Sequence, residues 1–275
     1  DIRNDGGRLY RSVPSYLGFG HAPLAVNDVS KGLENLLPTG VDIAARLELL
    51  SRSEKRFSKR YALPAVGAKQ AAFNRAVRLM QSRRSQAFDI EKEPDSVRVR
   101  YGEGLDSMGQ EPWKWLLQAR RLIEAGVSVV SACTYGWDTH RTNFKTLRKM
   151  LPPLDQAVHA LVTDLEDRGL LDDVVVVMGG EFGRTPRIGD ITPDGRSHWP
   201  EAGFLWMAGG GINTGQIIGQ TDARGERVIG NPIFMQSVMT HLYETLGIDP
   251  ATTFLDHNGR PQYLIDKREP IPSLV

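Results

Sequence analysis

The sequence predicts an α/β protein whose mostly parallel sheet is covered by helices on both faces. Three observations carry this. The runs "VSVVSACTY" (127–135), "VVVVMGG" (174–180) and "FLWMAGGGI" (204–212) are continuous, apolar and partly β-branched, the pattern of strands buried on both faces. Segments of helical period, 144–169 and 231–248, alternate with them. The polar loops "GWDTHRTN" and "EFGRTPRIGD" follow the first two runs, and ligands collect at the carboxyl ends of strands in such sheets.

In chain order, residues 1–40 are rich in Gly, Pro, Ser and Asn without a sustained period, so an extended, loop-rich segment is expected. A helical stretch over 41–102 follows. It comprises 41–61, with Ile43, Leu47, Leu50 and Phe57 at helical spacing and Asp42 as N-cap, and 68–88, with Ala72, Phe73, Val77, Leu79 and Met80 inward. "EPDSVRVRYGE" (93–103) reads as a linker. The α/β core, expected over 103–275 within the same domain, opens with a helix over 111–126 that Gly126 closes from a C′ position. The segment 144–169 is a helix pair or one helix interrupted at Pro152-Pro153. "AGGG" (208–211) lacks the Lys-Ser/Thr of a phosphate loop and reads as a tight turn after a strand. "GQIIG" (215–219) is expected as a short strand, 231–248 as a helix closed by Gly247, and 254–265 as a hairpin around Asn258-Gly259.

The chain has 275 residues and a net charge of +1, which points to no nucleic-acid or membrane partner. Residues 1–100 carry 18 Lys+Arg against 11 Asp+Glu and the remainder 16 against 22, a split of +7 and −6 that is consistent with cation binding in the second part. The basic helices over 42–84 bring no aromatic platform or Gly-rich loop, which argues against nucleic acid. No stretch approaches the roughly 18 apolar residues of a membrane span. Cys133, the single cysteine, lies in an apolar run and is expected as a packed core thiol. The opening "DIRNDGGRLY" has no initiator Met and no signal peptide, as in a processed chain or a fragment.

Four polar groupings fall in loops after strands: Asp138 with His140, Glu181 with Arg184, Arg187 with Asp190, and Arg196 with His198. A carboxylate and an imidazole one residue apart are ligand types for Zn²⁺ or a similar ion. Glu181 and His198 follow successive elements of the same sheet, so two carboxylates and two imidazoles converge in this reading. Asp138 is also placed to cap the helix beginning near Asn143, and Glu181 to pair with Arg184. Arg184 and Arg187 suit a planar anion, since a guanidinium offers two parallel donors. His159 and His241 lie mid-helix and His257 in a turn, where packing or solvent suffices.

"GWDTH", "VVVVMGGEFGRTPRI", "GRSHWP", "FLWMAGGGI" and "GQIIGQTD", in this order, resemble an uncharacterised bacterial sulfatase-like family of the alkaline-phosphatase superfamily. That resemblance implies a three-layer α/β/α sandwich, here incomplete at its amino terminus. It implies export, and a divalent metal (Zn, Ca or Mn) held by Asp138, His140, Glu181 and His198. It places Phe182 where such relatives carry a metal-binding histidine. The expected activity is metal-dependent hydrolysis of a phosphate or sulfate ester, on a small molecule or glycan, with Arg184 and Glu181 as catalytic groups. The alternative is a non-catalytic exported binding protein of the same fold.

Overall fold

The computed structural model describes residues 2–4, 21–26, 28–33, 43–61, 64–189, 191–271 and 273–274. The chain divides into two compact units, Asp1–Tyr135 and Gly136–Val275. The expected cap Asp42 and most of the loop-rich amino-terminal segment lie outside the described residues.

The first unit contains strands β1 (Ile2–Asn4) and β2 (Ala132–Thr134) and helices α1 (Ile43–Arg60), α2 (Pro64–Gln81), α3 (Asp95–Tyr101) and α4 (Pro112–Glu124). Its centre is α4, where Trp113, Trp115, Leu116, Leu117 and Leu122 are all buried with Phe88, Ile90 and Tyr101. A helix buried on so many sides must satisfy its polar groups internally. Gln118 donates to the Ala87 carbonyl at 2.6 Å, and Arg121 to the same oxygen at 3.0 Å. Buried Arg120 pairs with Glu93 at 2.9 Å and with Glu124 at 2.7 Å, and Arg121 also pairs with Glu93. Gly126 ends the helix as expected, at φ 88°, and Val127 N–H returns to the Leu122 carbonyl at 3.0 Å. Residues 95–101, expected as linker, form α3. Pro94 precedes its first turn, Asp95 lies at the positive end of its dipole, and Gly102 closes it in the left-handed region.

The second unit contains α5 (Asn143–Asp167), β3 (Val176–Gly179), β4 (Gly183–Arg184), β5 (His198–Trp199), β6 (Leu205–Ala208), β7 (Gln220–Thr221), β8 (Val228–Ile229), α6 (Met235–Thr245), β9 (Thr253–Leu255) and β10 (Pro261–Tyr263). Helix α5 is continuous through Pro152-Pro153. An interior proline costs a helix about 3 kcal/mol. A buried stripe of Met150, Pro153, Ala157, Ala160, Leu161 and Leu165 runs past the two prolines and offsets that cost by packing. Val177, Leu205 and Met207 on β3 and β6 pack with Ile212, Val238, Leu242, Ile271 and Leu274 in one core. The hairpin β9–β10 forms as expected around Gly259 at φ 76°. Gly247 follows α6 at φ 71°.

The expected parallel sheet and three-layer sandwich are not what forms. Among the described residues the strands make five two-stranded ladders. Only β1–β2 is parallel, and β3–β6, formed by two of the strands expected in the parallel sheet, is antiparallel. A parallel neighbour needs a crossover, usually a helix. The connection between β3 and β6 contains instead the short ladder β4–β5, so the chain reverses and β6 returns beside β3. The runs are also less enclosed than two-sided burial requires. β3 and β6 are mostly half-buried, and Val127 and Val129 are 40% and 65% exposed. Cys133 is exposed rather than packed, because β2 pairs only with β1 among the described residues. The strand expected at 215–219 does not form: Gly215 and Gly219 stand at φ 74° and 82°, and pairing begins at Gln220. The glycines at 209–211 do make the expected tight turn. A Cβ on Gly209 would lie 2.2 Å from the Val174 carbonyl oxygen. No described helix is long and apolar enough to cross a membrane.

Candidate metal and anion site

The site lies in the second unit, where a turn after β2 meets the ladder β4–β5. The turn is tight: Thr139 N–H donates to the Trp137 carbonyl at 2.8 Å, and the buried Thr139 hydroxyl bonds Asn143 Oδ1 at the head of α5. This presents Asp138 and His140 on one side. On the ladder, Gly183 pairs with Trp199 and Arg184 with His198. Opposite residues on a ladder point to the same face, so Arg184 and His198 emerge together.

The intervening loop is cross-linked by its own backbone. Thr185 N–H bonds the Ser197 carbonyl at 2.9 Å, the Thr185 hydroxyl accepts from Ser197 N–H at 3.0 Å, and Gly189 N–H reaches the Gly195 carbonyl at 3.1 Å. Asp194 ties this loop to α5. Its carbonyl accepts from Asn143 N–H at 2.7 Å, and its carboxylate accepts from Phe144 N–H at 3.1 Å and Lys145 N–H at 3.4 Å. Asp138, expected as a possible cap for this helix, does not serve it. Thr142, next to the first helical residue, makes no side-chain cap bond. The amino terminus therefore relies on the distant acceptor Asp194, which no local sequence signal marks, since Thr142 is itself a residue type that caps helices.

Three side chains converge on a single atom. Asp138 Oδ1 lies 2.7 Å from His198 Nε2, 2.9 Å from His140 Nε2 and 2.8 Å from Arg184 Nη1. Arg184 Nη2 also donates to the Trp137 carbonyl at 3.2 Å. The imidazoles are 4.6 Å apart between ring centroids, and Phe182 packs on His198 at 4.3 Å. Phe182 is thus a wall that orients His198. The hydrogen bond from His198, then that from Arg184, hold the Asp138 carboxyl down at about 2 from an ordinary 3.8, against a burial effect that raises it. The charges of His140 and Arg184 add to the lowering.

Of the expected site residues, Asp138, His140, His198 and Arg184 are brought together. Their side chains are 61%, 35%, 45% and 20% exposed, so the cluster opens to solvent. Glu181 does not join them; it sits exposed in the bend before β4. Arg187 is exposed, Arg196 donates to the Pro186 carbonyl, and Asp190 lies outside the described residues.

Asp138, His140 and His198 offer one ligand atom each, all within 4.8 Å of one another. A tetrahedral ion with bonds of about 2.1 Å spaces its ligand atoms about 3.4 Å apart, so to hold one the two imidazole nitrogens must each move about half an ångström away from Asp138 Oδ1 and also draw closer to one another. One detail differs from ordinary zinc sites, where the second ring nitrogen donates to an acceptor: His140 Nδ1 is enclosed with no hydrogen-bond partner among the described residues.

Residues 6–275 match a family described as protein of unknown function (DUF1501). The chain belongs to that family. This corrects the resemblance to sulfatase-like proteins: no sulfatase or alkaline-phosphatase family matches this DUF1501 chain, and the antiparallel ladder β3–β6 departs from the sheet that resemblance implied. No curated protein and no solved structure matches it.

Proposed function

We propose that this DUF1501 protein binds a divalent metal ion on Asp138, His140 and His198 and hydrolyses a phosphate or sulfate ester of a small molecule or glycan. The observation that carries this is the convergence of one carboxylate and two imidazoles, within 4.8 Å, on a face open to solvent. Three protein ligands with an open position are the pattern of a catalytic rather than a structural zinc site. Two nitrogen donors favour Zn²⁺ or Mn²⁺ over Ca²⁺, which takes oxygen ligands. When bound, such an ion supplies Lewis-acid polarisation of the ester and acidifies water. Asp138 provides the anionic ligand and stays ionised across the physiological range. Phe182 fixes the His198 ring. Arg184 presents its guanidinium to the anionic ester group.

The test is metal analysis of the purified chain together with hydrolysis of aryl phosphate and aryl sulfate. The expected result is one bound ion and a rate lost in both His140→Ala and His198→Ala. An absence of bound metal, with rates unchanged in both variants, overturns it. A second reading has its own support: Arg184 already neutralises Asp138, and His140 Nδ1 lacks the acceptor of an ordinary zinc ligand. It is a binding protein that takes an anion in this cleft without turnover. Anion binding with no hydrolysis of either ester would favour it.

A further inference from the structure

Arg184 shares the Asp138 oxygen around which the two imidazoles gather. Its Nη1 lies 2.8 Å from the same Asp138 oxygen that both imidazoles approach. A carboxylate oxygen has about two acceptor directions, and three groups already share this one. We propose that Arg184 is a resident counter-cation that a divalent ion displaces from Asp138, so that metal binding frees the guanidinium to take an oxyanion and the two ligands bind with positive coupling. This deepens the metal-site reading above and rests on it.

Charge and tether both support the exchange. With Arg184 on Asp138 the pair is neutral and Nη1 of the guanidinium is occupied. A divalent ion on Asp138 makes the same group of side chains net +2, which suits a dianionic phosphate or sulfate group. The released guanidinium stays close. Its backbone is paired with that of His198, its Nη2 donates to the Trp137 carbonyl, and its Cζ lies 6.0 Å from the centre of the Phe182 ring. In the metal-free state an anion must compete with Asp138 for the guanidinium. In the anion-free state a metal must displace a cation. Each ligand therefore removes an obstacle to the other, and the linkage is reciprocal.

The experiment is calorimetric titration of the chain with Co²⁺, with and without sulfate. In the wild type, sulfate is expected to tighten Co²⁺ binding by a factor in the range of about 5 to 150. Arg184→Gln is expected to bind Co²⁺ more tightly than the wild type in the absence of sulfate and to lose the sulfate effect. Arg184→Lys, which keeps the charge but not the forked donors, is expected to keep a reduced sulfate effect, and it carries the test if the Gln variant fails to fold. Arg224→Gln, on the turn between β7 and β8, is expected to behave as wild type. Co²⁺ binding that sulfate leaves unchanged, or that weakens in folded Arg184→Gln, overturns the coupling while leaving the metal site standing. No Co²⁺ binding by the wild type overturns both.

Discussion

Arg184 and His198 face each other across the β4–β5 ladder, and both reach the same carboxylate oxygen of Asp138. A two-residue ladder thereby converts residues 14 positions apart into neighbours, and a turn from a different part of the chain supplies the acid between them. The consequence for Asp138 is a carboxyl held at about 2.

That depression fixes a pH window. A carboxyl whose folded value lies below its unfolded one contributes stability that is complete above the unfolded value, near 4, and is lost as pH falls through the folded value. The difference in melting temperature between the wild type and Asp138→Asn is therefore expected to shrink as pH falls between about 4 and 2. Thermal melts followed by circular dichroism measure it. A difference that stays constant down to pH 2 would contradict the ion-pair cluster.

Asp194 caps α5 from 50 positions away, and so holds the loop that leads into His198 against the turn that carries His140. Asp194→Ala is expected to cost about 1 kcal/mol in urea unfolding, the usual worth of an N-cap. Asp194→Asn keeps an acceptor and should recover most of it. Equal losses in both variants would show that the cap hydrogen bonds are not the source.

Gly195 brings that loop into close backbone contact with the turn. A Cβ there would lie 2.4 Å from the His140 carbonyl oxygen and 3.1 Å from the Thr192 backbone nitrogen. Gly195→Ala must therefore push His140, at about 1–3 kcal/mol of overpacking, and is expected to weaken Co²⁺ binding in titration. Gly67→Ala is the contrast. Its Cβ would meet nothing within 4 Å and it lies inside α2, so it is expected to stabilise by up to about 1 kcal/mol. A Gly195→Ala variant with wild-type stability and metal binding would refute the close contact.

The ease of reading differed between elements for physical reasons. Helices α4 and α6 were legible because local signals define them: apolar spacing, and Gly126 and Gly247 beyond their ends. The apolar runs at 127–135, 174–180 and 204–212 were legible as strands only in part, and their partners not at all. A run of valines states that a segment is extended and apolar. It does not state which strand lies beside it or in which direction, and that depends on whether the connection is a helix or a reversal. Asp138, His140, Arg184 and His198 could be chosen because their chemistry is local. Glu181 was chosen on the same ground, but the bend before β4 leaves it outside. Asp194 was missed because its role is a contact across 50 residues that no periodicity reports.

The first unit encloses a buried charge. Arg120 is 1% exposed, and its counter-charges are Glu93, itself nearly enclosed, and the half-exposed Glu124. Burial pushes the Glu93 carboxyl up, but hydrogen bonds and charge from Arg120 and then Arg121 more than offset this and hold it below its ordinary value. Removing one partner from such a group leaves the other charge desolvated and only partly compensated, a loss of about 3–5 kcal/mol in buried pairs. Glu93→Gln is expected to fall near the lower end of that range, because Glu124 remains on Arg120. Its stability deficit against the wild type, read from urea unfolding, should also narrow as pH falls from the ordinary glutamate value of about 4.3 through the lower value that Glu93 holds in the folded chain. The double variant Glu93→Gln, Arg120→Met removes both charges and should recover part of the deficit. If the double variant is no more stable than the single one, the enclosed charge on Arg120 is not what the single substitution exposes.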